Sequence, residues 1–327
     1  MLIPVVYPSA GTFWLNFDMR NFRNTLLQPA DLPKQYELFL NKEIIQELLS
    51  KYNLSAPLKL LAPDSNARRS NRLYSCITRA ERYPSDAFLE LEPFVIDRDA
   101  VCRILLACPE LCFLQAAAGL SFYETIKFGY DLCAMYRLDK TAEHGQRSRI
   151  QITDISSLSG FLDRAEGIYG IKNARHSLKF VRNCSNSPME TRLAMLQILP
   201  FSYGGFSIDG QKLNMEIFLS EKAAAVAGRK SVTCDMAWER EMVAVEYDSN
   251  ETHLTVSQHD WDKRKATALA IDGYKVFPIT SRMVSSLQEI EKTFTALRKL
   301  LGRRTDIRRL AESREKREEL IRYLRTV

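Results

Sequence analysis

The seven cysteines are odd in number and nowhere spaced C-x-x-C, so neither a disulfide framework nor a zinc ribbon is expected. Cys102, Cys108 and Cys112 lie among Leu, Ile and Ala and read as buried thiols. No apolar run approaches the roughly eighteen residues of a membrane span. The opening "MLIPVVYPSAGTFW" has neither the basic region nor the long apolar core of a secretory signal, so a cytoplasmic protein without membrane contact is expected. Low-complexity stretches are few and no repeat period is visible, which excludes solenoids and fibrous arrays. What remains is an ordinary globular composition, 46% hydrophobic and 26% charged, long enough at 327 residues for two domains.

Charge is uneven. Between Arg298 and Val327 the chain holds 11 Lys/Arg against 5 Asp/Glu, so the whole formal excess of +6 sits in this tail and the rest is neutral. The segment "GRRTDIRRLAESREKREELIRYLRTV" reads as a charged, solvent-facing helix with i,i+4 pairs Glu312–Lys316 and Glu318–Arg322. Its basicity suits sequence-independent contact with the phosphates of a nucleic acid, or a helical docking surface for a partner protein.

The pattern predicts an N-terminal α+β domain over 1–183. It contains a helix in "LPKQYELFLNKEIIQELLSKY", two short strands in "PLKLLAPDSNARRSNRLYSCI", and two or three buried helices over 97–136 capped by Asp97 or Asp99 and by Ser121. A polar break, "NCSNS", precedes a new unit over 184–301: helix, three strands, helix, strand, helix. A helix crossing between strands calls for parallel pairing there, in a mixed sheet flanked by helices.

Acids interrupt the apolar strands of this second unit. In "MVAVEYD", Glu246 and Asp248 are two apart and so share a strand face, and in "VTCDMAW" Asp235 repeats the anomaly. Anions there resist desolvation unless something positive compensates them. Glu190, in the first turn of the opening helix, can join them in space. Four carboxylates on rigid elements suit a hard divalent cation such as Mg²⁺ or Mn²⁺. The same residues have plainer readings. Ser187, Pro188 and Glu190 fit a capping box; a buried arginine could pair Asp235 or Glu246; Asp248 could end a strand; His253 could be a loop residue; Asp262 and Lys265 could be an exposed helix pair.

The ordered set Ser187-Pro188-x-Glu190, Asp235, Glu246-x-Asp248, His253, then Asp262, Lys265, Leu269 and Gly273 resembles the PD-(D/E)xK nuclease superfamily, and within it the domain of unknown function related to very-short-patch-repair endonucleases. The resemblance spans about residues 185 to 300 and implies a restriction-endonuclease-like fold and metal-dependent cleavage of DNA. Asp235, Glu246, Asp248 and Glu190 would hold Mg²⁺ or Mn²⁺, and His253 or Lys265 would position water or phosphate. Two positions depart from the pattern: Ser249 stands where Gly is frequent, and Asp248 occupies the slot of a Lys two residues after the Glu. The segment "ELCFLQAAAGLSFYETIKFGYDLCAMY" resembles AbiEi-like abortive-infection antitoxins, which implies a transcription-regulatory alternative in which a nuclease fold binds nucleic acid without cutting it. No N-terminal helix-turn-helix pattern accompanies it.

Overall fold

The computed structural model describes residues 1–17, 28–78, 83–97, 100–248 and 256–326, which fall into two compact units, Met1–Val181 and Arg182–Val327. Each is mixed α/β. Among the described residues no helix is long and apolar enough to cross a membrane.

In the first unit, β1 (Leu2–Val5), β2 (Gln28–Ala30), β3 (Leu58–Ala62), β4 (Tyr74–Thr78), β5 (Phe88–Asp97) and β6 (Ala100–Ala107) form one sheet in the order β2-β5-β6-β1-β3-β4. The pairs β1–β6 and β3–β4 are parallel, the others antiparallel. Helices α1 (Ser9–Asn16) and α2 (Lys42–Lys51) precede a packed group of α3 (Pro109–Ala117), α4 (Phe122–Cys133), α5 (Ile155–Arg164) and α6 (Ile171–Leu178), with a small hairpin of β7 (Tyr136–Leu138) and β8 (Gln146–Ser148) between α4 and α5.

Two elements of the first unit differ from the sequence reading. The stretch from Ala100 is not helical: β6 is a central strand, with Ile104, Leu105, Leu106 and Ala107 all buried between β5 and β1. A continuous apolar run is common to a strand buried on both faces and a buried helix, so periodicity could not separate them. Asp97 ends β5 instead of capping a helix, and α3 starts at Pro109 with Cys108 Sγ accepting from Leu111 N. The helix read over residues 32–52 starts only at Lys42, where Asn41 Oδ1 accepts from Ile44 N, because Leu38 is drawn into a bridge with Leu2. Ser121 does form the expected capping box with Glu124.

The second unit runs α7 (Pro188–Ile198), β9 (Lys212–Phe218), α8 (Glu221–Ala227), β10 (Ser231–Trp238), β11 (Val243–Asp248), α9 (Val256–Ile271), β12 (Lys275–Thr280) and α10 (Leu287–Leu300). Its sheet has the order β12-β11-β10-β9, antiparallel from β9 to β11 and parallel between β11 and β12, as the crossover by α9 requires. Ala223 and Ala227 of α8 and Ala268 and Leu269 of α9 bury themselves with Val232, Cys234 and Ala244. Small alanines let both helices lie close to the sheet. Gly273, at φ 85°, ends α9 in the left-handed conformation that glycine adopts without strain. Helix α7 is buried along nearly its whole length, and Gln197 Nε2 donates to Met236 Sδ at 3.2 Å.

The tail is not one solvent-facing helix. It breaks at Ser313 into α11 (Ile307–Glu312) and α12 (Arg314–Thr326), and α12 docks on its own unit through Leu320, Ile321 and Leu324. Arg317, fully buried, pairs with Glu291 at 2.8 Å and lies 4.8 Å over the Phe206 ring. A Cβ on Gly204 would run into the Lys316 carbonyl, so glycine permits this approach. The i,i+4 pairs formed are Arg308–Glu312 and Arg314–Glu318.

Candidate functional site

Asp235 and Glu246 lie on neighbouring strands at the point where their ladder stops. The last backbone pair is Met236–Val245. Beyond it, Tyr247 N donates at 2.7 Å to the side-chain Oδ2 of Asp235 instead of to a strand carbonyl. A carboxylate thus takes over a ladder bond where the strands part. Both acids are half-buried, and burial raises both carboxyls above their usual range. The Tyr247 amide and then Lys265 pull Asp235 back down; Lys265 does so for Glu246, while Asp235 pushes Glu246 up.

Lys265 is the compensating charge. It projects from the middle of α9, with Nζ 2.7 Å from Glu246 Oε1 and its side chain 15% exposed. The approach is that of an ion pair off the hydrogen-bond axis: Oε1, closed to solvent, receives no aligned hydrogen bond. The Cys234 thiol is buried beside it and pushed well up, first by desolvation and then by Glu246.

Glu190 is reached from the other side. Its backbone N donates to Ser187 Oγ at 3.1 Å, as the capping reading expects, while its carboxylate accepts from Asn186 N at 2.9 Å, Ser187 Oγ at 3.0 Å and Asn214 Nδ2 at 2.5 Å. Despite these donors, burial and, less strongly, the charge of Asp235 push the Glu190 carboxyl up to about 7. Asn214 sits in β9 between the pairs Leu213–Met236 and Met215–Cys234, the register position across from Asp235. It therefore stands between Glu190 and Asp235, held at φ 47°, a left-handed conformation that asparagine tolerates better than most residues. Sequence reasoning missed Asn214; its only signal was a polar residue inside an apolar strand. The sequence singled out Lys265 to position water or phosphate; that it pairs with Glu246 was not legible there.

The other expected members stand apart. Asp248 ends β11 exposed and is not among the charges acting on Asp235 or Glu246. Asp262 is exposed on α9, and His253 lies outside the described residues. Leu269 and Gly273 serve the core and the helix end. Among the described residues no three His, Cys, Asp or Glu side chains gather at metal-binding distance.

Comparison with family models, with curated proteins and with solved structures finds no match.

The arrangement offers two carboxylates of raised proton affinity, an ammonium held between them and solvent, and a third carboxyl that exchanges its proton near neutrality. Such a set can hold a cation, orient a phosphate, or move a proton.

Proposed function

We propose that the second unit is a restriction-endonuclease-like domain that hydrolyses DNA phosphodiester bonds with Mg²⁺ or Mn²⁺. The observation that supports this most is Lys265 beside Glu246 and Asp235 at the end of the β10–β11 ladder. The resemblance asks for a lysine two residues after the glutamate; Asp248 holds that slot, and α9 brings a lysine back to the same carboxylate from another element. The strand order, three antiparallel and one parallel after a crossover helix, agrees with the fold the resemblance implies.

The residues fit a magnesium-type ion. Mg²⁺ takes one or two protein carboxylates and completes its octahedron with waters and substrate phosphate, so Asp235 and Glu246 suffice, and Glu246 Oε1 lacks an aligned hydrogen bond. When bound, the ion supplies Lewis acidity toward a phosphodiester oxygen and lowers the pKa of a coordinated water. Lys265, turned from Glu246, donates toward a non-bridging oxygen and stabilises the negative charge that develops on the non-bridging oxygens in the transition state. Glu190, tied to Asn186, Ser187 and Asn214, keeps the Asp235 side of the site rigid.

A second reading is a binding or regulatory module that keeps this fold and does not cleave. Lys265 favours it, because the ammonium already neutralises Glu246 without a metal. One experiment separates the two: supercoiled plasmid incubated with the protein and Mg²⁺ or Mn²⁺, alongside Asp235→Ala. Nicking by the wild type and not by the variant supports cleavage. A shifted band without nicking by either protein selects the binding module.

A further inference from the structure

We propose that the first unit carries a separate nucleotide site in a cavity formed by the end of α1, the end of α2 and β7, which takes a base and its phosphate. The cavity, about 350 Å³, is lined by Phe13, Asn16, Phe17, Lys51, Tyr52, Asn53 and Arg137. This is at the small end of the roughly 300–1,000 Å³ range of ligand sites, enough for one planar ring system with a charged group at the mouth.

Three aromatic rings shape it. Phe13 and Phe17 stack with centroids 5.0 Å apart and planes 21° apart, and Tyr52 meets Phe13 edge-on at 5.2 Å. Phe13 is buried and fixes the cluster, whereas Phe17 and Tyr52 are half-buried and turn surface toward the cavity. Aromatic surface of this kind binds bases by stacking, without regard to sequence.

The charged lining is of one sign among the described residues: Lys51 and Arg137, with no carboxylate. Lys51 Nζ lies 5.6 Å over the Tyr52 ring and 5.5 Å over the Phe94 ring, with a long, exposed contact of 3.4 Å to Glu92. Arg137 shares Asp139 with Arg147, at 3.3 Å against 2.6 Å, so its own pairing is the weaker one. Its Nε is closed to solvent and has no hydrogen-bond partner among the described residues. The side chain as a whole is 24% exposed, and a phosphate oxygen is the acceptor that the open end of its fork fits best. Asn16 and Asn53 add amides that can meet base edges. Stacking surface, two cations and side-chain amides in one small cavity are the chemistry of a nucleoside phosphate, as a free nucleotide or as the end of a single strand.

This site rests on the first unit alone and holds whether or not the second unit cleaves. It is tested by isothermal titration calorimetry of the full chain with dAMP, with inorganic phosphate, and with a short single-stranded oligo-dA. Expected are binding of dAMP well above that of phosphate, a loss of at least about tenfold in Arg137→Ala from the missing charge-assisted bond, and a similar loss in Phe17→Ala that spares the weak phosphate response. Lys51→Gln, an exposed position, gives the same direction without risk to folding, and thermal melting confirms that each variant is folded. Tighter binding of the oligonucleotide than of dAMP assigns a strand end; equal binding assigns a free nucleotide. The proposal is overturned if neither dAMP nor the oligonucleotide binds more tightly than about 1 mM, or if folded Arg137→Ala, Phe17→Ala and Lys51→Gln all bind as the wild type does.

Discussion

Lys265 Nζ stands 2.7 Å from Glu246 Oε1, and this contact is what lets a carboxylate occupy an otherwise apolar strand. Breaking a fully buried pair costs about 3–5 kcal/mol because one charge is left without compensation. Here the side chains are 15% and 26% exposed, so Lys265→Met should destabilise the chain by about 1–3 kcal/mol. Adding Glu246→Gln should recover most of that loss. Urea unfolding of the single and double variants measures it; an unrecovered double variant would show that Lys265 acts by packing and not by charge.

A metal ion at Asp235 and Glu246 competes with the Lys265 ammonium for the same oxygens. Mn²⁺ should therefore raise the melting temperature of the wild type, since a ligand bound only to the folded state stabilises it. It should raise that of Lys265→Met further still, while this variant nicks no plasmid. Asp235→Asn/Glu246→Gln should show no shift. Asp248→Asn, at an exposed strand end, should behave as the wild type in both assays. Equal shifts in all four proteins would remove the metal from the site.

Glu190 makes a pH dependence of definite sign. Its carboxyl is raised from 4.5 to about 7, so between those values the folded state holds the proton more tightly than the unfolded one. The stability it contributes is complete below about pH 4.5 and is lost as pH rises through about 7. In EDTA, the wild type should lose about 3 kcal/mol more than Glu190→Gln between pH 4.5 and pH 8. Parallel pH curves for the two proteins would contradict the burial of a charged Glu190.

The tail's charges divide between structure and surface. Arg317 is buried against Glu291 and Phe206, so Arg317→Ala, which leaves Glu291 with the looser 3.9 Å contact to Arg314, should cost about 2–4 kcal/mol and loosen α12. Removing residues 303–327 should destabilise the second unit for the same reason. Exposed Arg304, Lys316 and Arg322 are the positions to change if the tail binds phosphates: their triple Ala variant should keep its melting temperature while DNA binding weakens and its salt dependence flattens. An unchanged salt slope would mean that the tail makes no phosphate contact.

Much of the second unit could be read along the chain because its signals are local. Ser187, Pro188 and Glu190 mark a helix start by capping chemistry, and alternation between polar break and apolar run marks β10, β11 and β12. The first unit was harder. Burial on both faces makes β6 an unbroken apolar run, and only its place between β5 and β1 decides that it is a strand. The segment before Lys42 was pulled from a helical pattern by one backbone bridge to Leu2.

By itself, the sequence determined that acids interrupt apolar strands and that positive charge must compensate them, because the cost of desolvating a carboxylate follows from residue type and burial pattern alone. Which charge does so was a matter of tertiary structure. Lys265 lies nineteen positions beyond Glu246 on a different element, and only the crossover of α9 over β11 and β12 brings the two within contact. The same holds for the buried Arg317 in a tail whose composition read as solvent-facing, and for Asn214 between Glu190 and Asp235. A Coulomb pair depends on distance in space, and distance in space between elements is set by how the chain packs.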